Sequence, residues 1–292
     1  LVLEGTVKAT GPFKFNYGIN LHSKADTTFL QNNANQAEAT FIWEQSTNWN
    51  PLYSADALFS SITAITSQFQ NRITVANLGA TGITKGDWFL ILSDDSLRGL
   101  FGSHGANIDT RPMELHQAHE VITSTGIIYT ADDIIDAYTL RPRVLKVDLL
   151  PGPTISGRFN GTVAQSGWNA DTFAQLFRIY GFKDSRVHNV RIGRLGPGAI
   201  GFGFCANTVI TDSHIEGTAA HDQVYGASAI CCNGFLMHGN QVEGTRHPIT
   251  FAGDVLAATM RKGSSNAQLT FTAVATTDIL TTNRNHELLD GD

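Results

Sequence analysis

Three eleven-residue stretches of this chain, 184–194, 207–217 and 234–244, carry one pattern. Their first position is Asp184, Asn207 or Gly234, and their sixth is Asn189, Asp212 or Gly239. Asp, Asn and Gly are the residues that tolerate left-handed backbone, so each of these columns marks a corner. Between and beyond the corners sit Val187, Ile210 and Met237, then Ile192, Ile215 and Val242. At a period of two these apolar positions face inward on short strands. The stretches start 23 and 27 residues apart, from 184 to 207 and from 207 to 234. A repeat of that length without a helical signature predicts stacked coils that bury one another's apolar edges. The expected fold is an all-β solenoid, a parallel β-helix.

The segments before each first corner support this. Tyr180-Gly-Phe182, Gly203-Phe-Cys205 and Ile230-Cys-Cys232 each end two residues before a corner, which places Phe182, Cys205 and Cys232 in one column. A leucine-rich repeat has the same period but needs a regular Leu/Asn consensus, absent here. A β-sandwich would show hairpin turns every 8–12 residues or so rather than equivalent corners.

With 28 glycines and only 16% charged residues, the composition suits a turn-rich β protein. A net charge of −6, with no dense run of Lys or Arg, argues against a nucleic-acid partner. No apolar run reaches the ~18 residues of a membrane span, so no membrane insertion is expected. Of the three cysteines, Cys205 and Cys232 fall in the apolar column with Phe182 and read as buried thiols. No Cys/His spacing points to zinc, and neither a metal nor a cofactor is expected. The chain opens at Leu1 without a signal-like segment and ends without an obvious polar cap. We therefore expect a segment of a longer polypeptide, with coils continuing beyond the chain end.

Three regions are expected. Residues 1–98 read as an irregular, capping β region, with strands near Leu1–Lys8, Phe13–Asn20, Asn71–Asn77 and Asp87–Ser93 and a short helix capped by Ser54. Residues 99–150 hold a polar excursion, 102–114, and strands leading into the coils. Residues 151–292 form the regular coils, with a strand at Ala267–Val274 and one further coil suggested by Asp278 and Asn283.

Lys85-Gly-Asp-Trp-Phe-Leu-Ile-Leu-Ser93, His119-Glu-Val-Ile122, Gly152-Pro-Thr-Ile-Ser-Gly157, the corner repeats and Thr245-Arg-His-Pro-Ile-Thr250 together resemble the pectate-lyase-like β-helices of bacteriophage tail spikes and appendage proteins. The resemblance covers roughly residues 80–254. It implies a right-handed, single-stranded parallel β-helix, a threefold axis and hence a homotrimer. It also implies a place on the virion tail among other tail proteins, and bacterial surface polysaccharide as ligand. The same fold serves pectin and alginate lyases, epimerases and polygalacturonases, and fold alone does not choose among them. Two other readings stay open: a cellular, extracellular polysaccharide lyase, hydrolase or epimerase, and a non-catalytic structural or adhesive β-helix. The sequence holds neither a matched calcium-binding aspartate set nor an Asn-Thr-Asp plus Gly-Asp-Asp arrangement.

Glu216 and Glu243 occupy one repeat position, each just before a Gly-Thr pair. On adjacent coils their backbones stand about 5 Å apart, near the ~5–5.5 Å of a retaining glycosidase pair. His221 and Asp222, in the longer link, offer a base with an orienting carboxylate. Arg246 and His247 follow one coil later, then Asp254. Arg suits the carboxylate of an acidic sugar, as do Arg186, Arg191 and Arg194. Of the four tryptophans, Trp168 sits in a turn-like excursion suited to stacking on a sugar ring, whereas Trp88 lies in an apolar run and reads as core. The expected catalytic residues are thus Glu216, Glu243, His221 and Asp222, with Arg246, His247, Asp254 and Trp168 binding substrate.

Overall fold

The computed structural model describes residues 1–9, 12–25, 28–31, 41–45, 59–65, 70–95, 113–136, 138–163, 175–193, 198–216, 225–245, 247–252 and 259–261. All six expected corner residues lie in the left-handed region: Asp184, Asn189, Asn207 and Asp212 at φ 59°, 49°, 52° and 50°, and Gly234 and Gly239 at 75° and 66°. A third corner column was not legible in the sequence. Gly181, Phe204 and Cys231 take φ values of 80°, 51° and 47°. Left-handed backbone costs a residue with a Cβ roughly 1–2 kcal/mol. Phe204 and Cys231 recover that by burial, being 2% and 0% exposed.

Between corners the chain runs as parallel strands in two sheets. In one, Phe13–Phe15, Phe41–Glu44, Gln175–Tyr180, Gly198–Gly203, Tyr225–Ile230 and His247–Ala252 pair in that order, all parallel. In the other, Leu21–Ser23, Thr154–Val163, Arg186–Gly193 and Ala206–Thr211 follow one another, then Asn233–His238 and Thr259–Arg261. The expected apolar columns stack in register: Val187 on Ile210 on Met237, and Ile192 on Ile215 on Val242. Phe182, Cys205 and Cys232 are each fully buried, and all three cysteines are free thiols. Burial pushes the Cys232 thiol well above its ordinary range.

The interior is aromatic at its low-numbered end. Phe13 stacks on Phe41 with ring centres 5.2 Å apart, and Phe159 meets Phe177 edge-on at 4.9 Å. Trp43 is fully buried there, and its indole N–H donates to the Ile19 carbonyl at 3.0 Å, so its polar edge is satisfied.

Strands before residue 45 belong to the coil sheets, because Leu21–Ser23 and Thr28–Gln31 pair with Thr154–Val163. Between them and the later coils, six antiparallel strands close into a barrel: Met113–Ile122, Ile127–Ile134, Gln70–Val75, Ser60–Ile65, Arg143–Val147 and Trp88–Leu92. Closure leaves these strands no open edge. Where a helix starting at Ser54 was expected, residues 60–65 are strand and residues 54–58 lie outside the described ones. A one-turn helix, Leu78–Thr81, stands instead after Gln70–Val75 and ends at Gly82 with φ 66°. Of the excursion expected at 102–114, residues 102–112 lie outside the described ones, as does everything after 261, while Met113 and Glu114 open the strand Met113–Ile122.

The barrel docks on the third corner column. Trp88, Leu90, Leu92, Met113 and Leu115 pack against Phe204, Ala206 and Cys231. Phe89 and Ile91 point the other way into the barrel interior. Burial on both faces explains the unbroken apolar run from Trp88 to Leu92. Asn233 fixes the seat: its amide donates to the Leu115 carbonyl at 2.9 Å and to the Asp132 carboxylate at 3.0 Å.

Candidate functional site

The second corner turns each coil into a short strand, His214–Glu216 in one and Gln241–Glu243 in the next. These pair in parallel, with His214 opposite Gln241 and Glu216 opposite Glu243. The alternation sends Ile215 and Val242 inward and leaves the flanking side chains on the outer face, partly exposed. The two candidate carboxylates therefore occupy adjacent rungs of one column.

A histidine completes the pair. His214 Nε2 lies 2.6 Å from Glu243 Oε1. An ionised carboxylate only accepts, so this nitrogen carries the proton and donates it. The contact is diagonal: His214 stands two residues before Glu216 and reaches across to the next coil.

A buried hydrogen-bond network sets the geometry of this shoulder. Behind the corner, Ser213 N–H donates to Asn240 Oδ1 at 2.9 Å, and the Asn240 amide donates to the Ile210 carbonyl at 2.8 Å. Ser213 Oγ accepts from the Val190 N–H at 3.1 Å. Three successive coils are thus tied at the point where the outer-face strands begin.

Two columns extend the polar face toward lower residue numbers. Arg158 pairs with Arg191, and Arg191 with His214, so Arg158, Arg191, His214 and Gln241 form one outward row. Across the corner, His188, Thr211 and His238 form another.

Of the other expected site residues, His221, Asp222, Arg246, Asp254 and Trp168 lie outside the described ones. His247 is not in a loop: it opens the strand His247–Ala252, opposite Tyr225. It lies four positions after Glu243 in the chain, at the passage from one sheet to the other. Trp88 is buried between barrel and coil as expected. Among the described residues, no three His, Cys, Asp or Glu side chains gather as a metal site. No helix among them is long and apolar enough to cross a membrane.

A second polar cluster, unforeseen in the sequence, lies in the barrel. Glu114 is fully buried and accepts from the backbone N–H of Ile135 and Asp136, from the Tyr138 hydroxyl and from His116 Nε2, at 2.7–3.1 Å. It alternates with Met113 and Leu115, which face the coils. Only its buried surroundings, not its residue type, reveal its role as a staple for the segment after Ile134.

The sequence matches no protein-family model and no curated protein. Its structure is similar to three solved tailspikes. The tailspike protein gp49 of Pseudomonas phage LKA1 aligns with a TM-score of 0.56 at 16% identity, over 87% of this chain and 41% of its own. The tailspike gp61 of Pseudomonas phage phi297 aligns at 0.51 and 15%, over 85% and 39%. The Gp54 tailspike of Acinetobacter baumannii bacteriophage AP22, solved in complex with A. baumannii capsular saccharide, aligns at 0.56 and 15%, over 89% and 40%. The chain thus spans about two-fifths of the length of these tailspikes and is similar to them in fold.

Proposed function

We propose that this chain is the coil-bearing segment of a bacteriophage tailspike, carried on the virion tail, that binds bacterial surface polysaccharide. Its coils are read as a right-handed, single-stranded parallel β-helix of the pectate-lyase-like kind. The observation that carries the proposal is the likeness to three tailspikes over most of this chain, one of them holding a capsular saccharide. The paired Glu216 and Glu243, with His214 on the second, supply an outer-face site of the kind a glycan needs.

At that site Glu243, oriented by His214, acts as the nucleophile, and Glu216 on the neighbouring coil as the acid. A ladder spacing of about 4.8 Å suits a retaining pair. His221 and Asp222 are proposed as further catalytic residues, and Arg246, His247, Asp254 and Trp168 as substrate-binding ones. The assembly is a homotrimer joined along the outward column in which Val209 and Leu236 follow Arg186, and it sits among other tail proteins.

The test is a panel of purified bacterial capsular and O-antigen polysaccharides. The parent chain should bind at least one and shorten it. Glu216→Gln and Glu243→Gln should each abolish shortening and keep binding. Full shortening by both variants would rule out this pair as catalytic, and binding without shortening by the parent would leave an adhesin. A monomer by light scattering would remove the trimer.

A further inference from the structure

We propose that the face beside the carboxylate pair takes an anionic glycan whose charged sugars alternate with neutral ones, and that Arg158 and Arg191 hold its oxyanion groups. This rests on the polysaccharide reading above and adds the chemical class of the ligand. Arg158 and Arg191 are direct partners on neighbouring parallel strands, so their backbones stand about 4.8 Å apart. A guanidinium does not lose its charge, and two side by side repel. Among the described residues neither has a carboxylate partner. The described ion pairs go elsewhere: Arg141 and Arg143 to Asp94, Arg178 to Glu44, Lys24 to Glu4, and Lys146 to Asp87 and Asp148.

This is not for want of acids, since the chain has 26 Asp and Glu against 20 Lys and Arg. Arg158 is half-buried, and its Nε is shielded from water with no hydrogen-bond partner. Arg143 and Arg178 also leave Nε open, but each sets a terminal nitrogen 2.8 Å from a carboxylate oxygen. Arg186 also has no carboxylate partner among the described residues, yet its column neighbours Thr154 and Val209 carry no charge. The guanidinium fork of each of these neighbouring arginines, Arg158 and Arg191, is matched to a carboxylate or phosphate, which it can grip through two parallel hydrogen bonds.

The order along the row narrows the class further. Arg158 and Arg191 come first, then His214 and Gln241, with Glu216 and Glu243 beside the last two. A glycan lying along this row meets cations at one end and carboxylates at the other. A polymer charged on every sugar would be repelled at Glu216 and Glu243. One with an anionic sugar at the arginines and neutral sugars at the carboxylates meets no such opposition.

The experiment is binding of the whole chain to immobilised bacterial capsular polysaccharides, acidic and neutral. Each acidic member is also presented after carboxyl reduction or after dephosphorylation. The acidic members should bind, and removing the carboxyl or the phosphate identifies which oxyanion is read. Combining Arg158→Gln with Arg191→Gln should weaken binding about 10- to 100-fold, the loss of one or two charge-assisted contacts. The thermal midpoint of that variant should stay level or rise as the repulsion is relieved. Arg158→Lys with Arg191→Lys keeps the charge without the fork and should bind between the two. Neutral members bound as tightly as acidic ones, with the double variant unaffected, would overturn the anionic class and leave polysaccharide binding standing. Binding to no member would sink the polysaccharide reading itself, and this inference with it.

Discussion

Asn240 is bound to Ser213 across the coil spacing: its Oδ1 accepts from the Ser213 backbone N–H at 2.9 Å, and its own amide donates to the Ile210 carbonyl at 2.8 Å. One side chain therefore satisfies a donor and an acceptor that the corner at Asp212 takes out of the strand ladder. Both residues are buried, so no water stands in for a lost bond. Asn240→Ala leaves a buried N–H and a buried C=O open, at about 1–3 kcal/mol each. The expected outcome is a clear fall in the denaturation midpoint, with faster hydrogen exchange at the Ser213 amide. An unchanged midpoint would mean that the corner is held by the stacking of Ile210 and Ile215 instead.

The left-handed corners predict a contrast between two substitutions at one place. Asn189 and Asp212 have φ near 50° and are exposed, so packing plays little part in the effect. Valine at either position should cost roughly 1–2 kcal/mol, because its Cβ crowds the backbone. Glycine should be near neutral. Thermal unfolding of the four single variants checks this, and equal effects of Val and Gly would remove the corner argument.

Much of the coil architecture was legible because its corners fall on Asn, Asp and Gly, which have a physical reason to be there. The third corner was not, since nothing in the residue types Phe204 and Cys231 announces a positive φ. Their conformation is held by packing against barrel residues more than fifty positions away in sequence. The barrel escaped notice for a related reason. None of its strands marks itself as part of a barrel, and the pairing of Ser60–Ile65 with Arg143–Val147 is a long-range fact that no local pattern carries. At the candidate site, the pairing of Glu216 with Glu243 was legible from the repeat. His214 was not, because its partner lies diagonally across a coil boundary, 29 residues on.

Glu114 carries a prediction about the barrel. Its carboxylate faces only donors: two backbone N–H groups, the Tyr138 hydroxyl and the His116 ring. Glu114→Gln keeps the shape but turns one acceptor into a donor against donors. Breaking a buried network of this kind costs about 3–5 kcal/mol. Exchange at the Ile135 and Asp136 amides should accelerate most, with the coil amides following less. Uniform acceleration across barrel and coils would show that the two unfold together and that the network is no local staple.

Asp95 predicts an acid-sensitive loop. Burial pushes its carboxyl up, but hydrogen bonds from the Thr139 hydroxyl, the Leu140 and Thr139 N–H groups and Ser93 outweigh that and hold it down to about 2. An unfolded Asp titrates near 3.9. A folded value below the unfolded one means the stabilisation is present above about pH 4 and is lost as pH falls toward 2. The Thr139 and Leu140 amides should thus lose exchange protection between about pH 4 and pH 2. Asp95→Asn should lose that protection already at neutral pH and show no further change in this window. A parent protein whose loop stays protected down to pH 2 would contradict the assignment.

The most exacting prediction concerns His214, whose part in the proposed scheme is to orient Glu243 rather than to act on the reacting bond. Its Nε2–H holds one carboxylate oxygen at 2.6 Å and so aims the other at the sugar. A residue that only positions another should lower the rate without abolishing it, and a substitute donor should restore part of the effect. His214→Ala is expected to lower kcat on any polysaccharide the parent cleaves by about ten- to a hundredfold, with KM little changed. His214→Gln, which can still donate from its amide, should recover much of that loss. Because His214 is partly exposed, neither change should move stability by more than about 0.5–1 kcal/mol. A rise in KM at constant kcat would instead make His214 a binding group. Full activity in both variants would show that Glu243 needs no such support and that the diagonal contact only closes the coil surface.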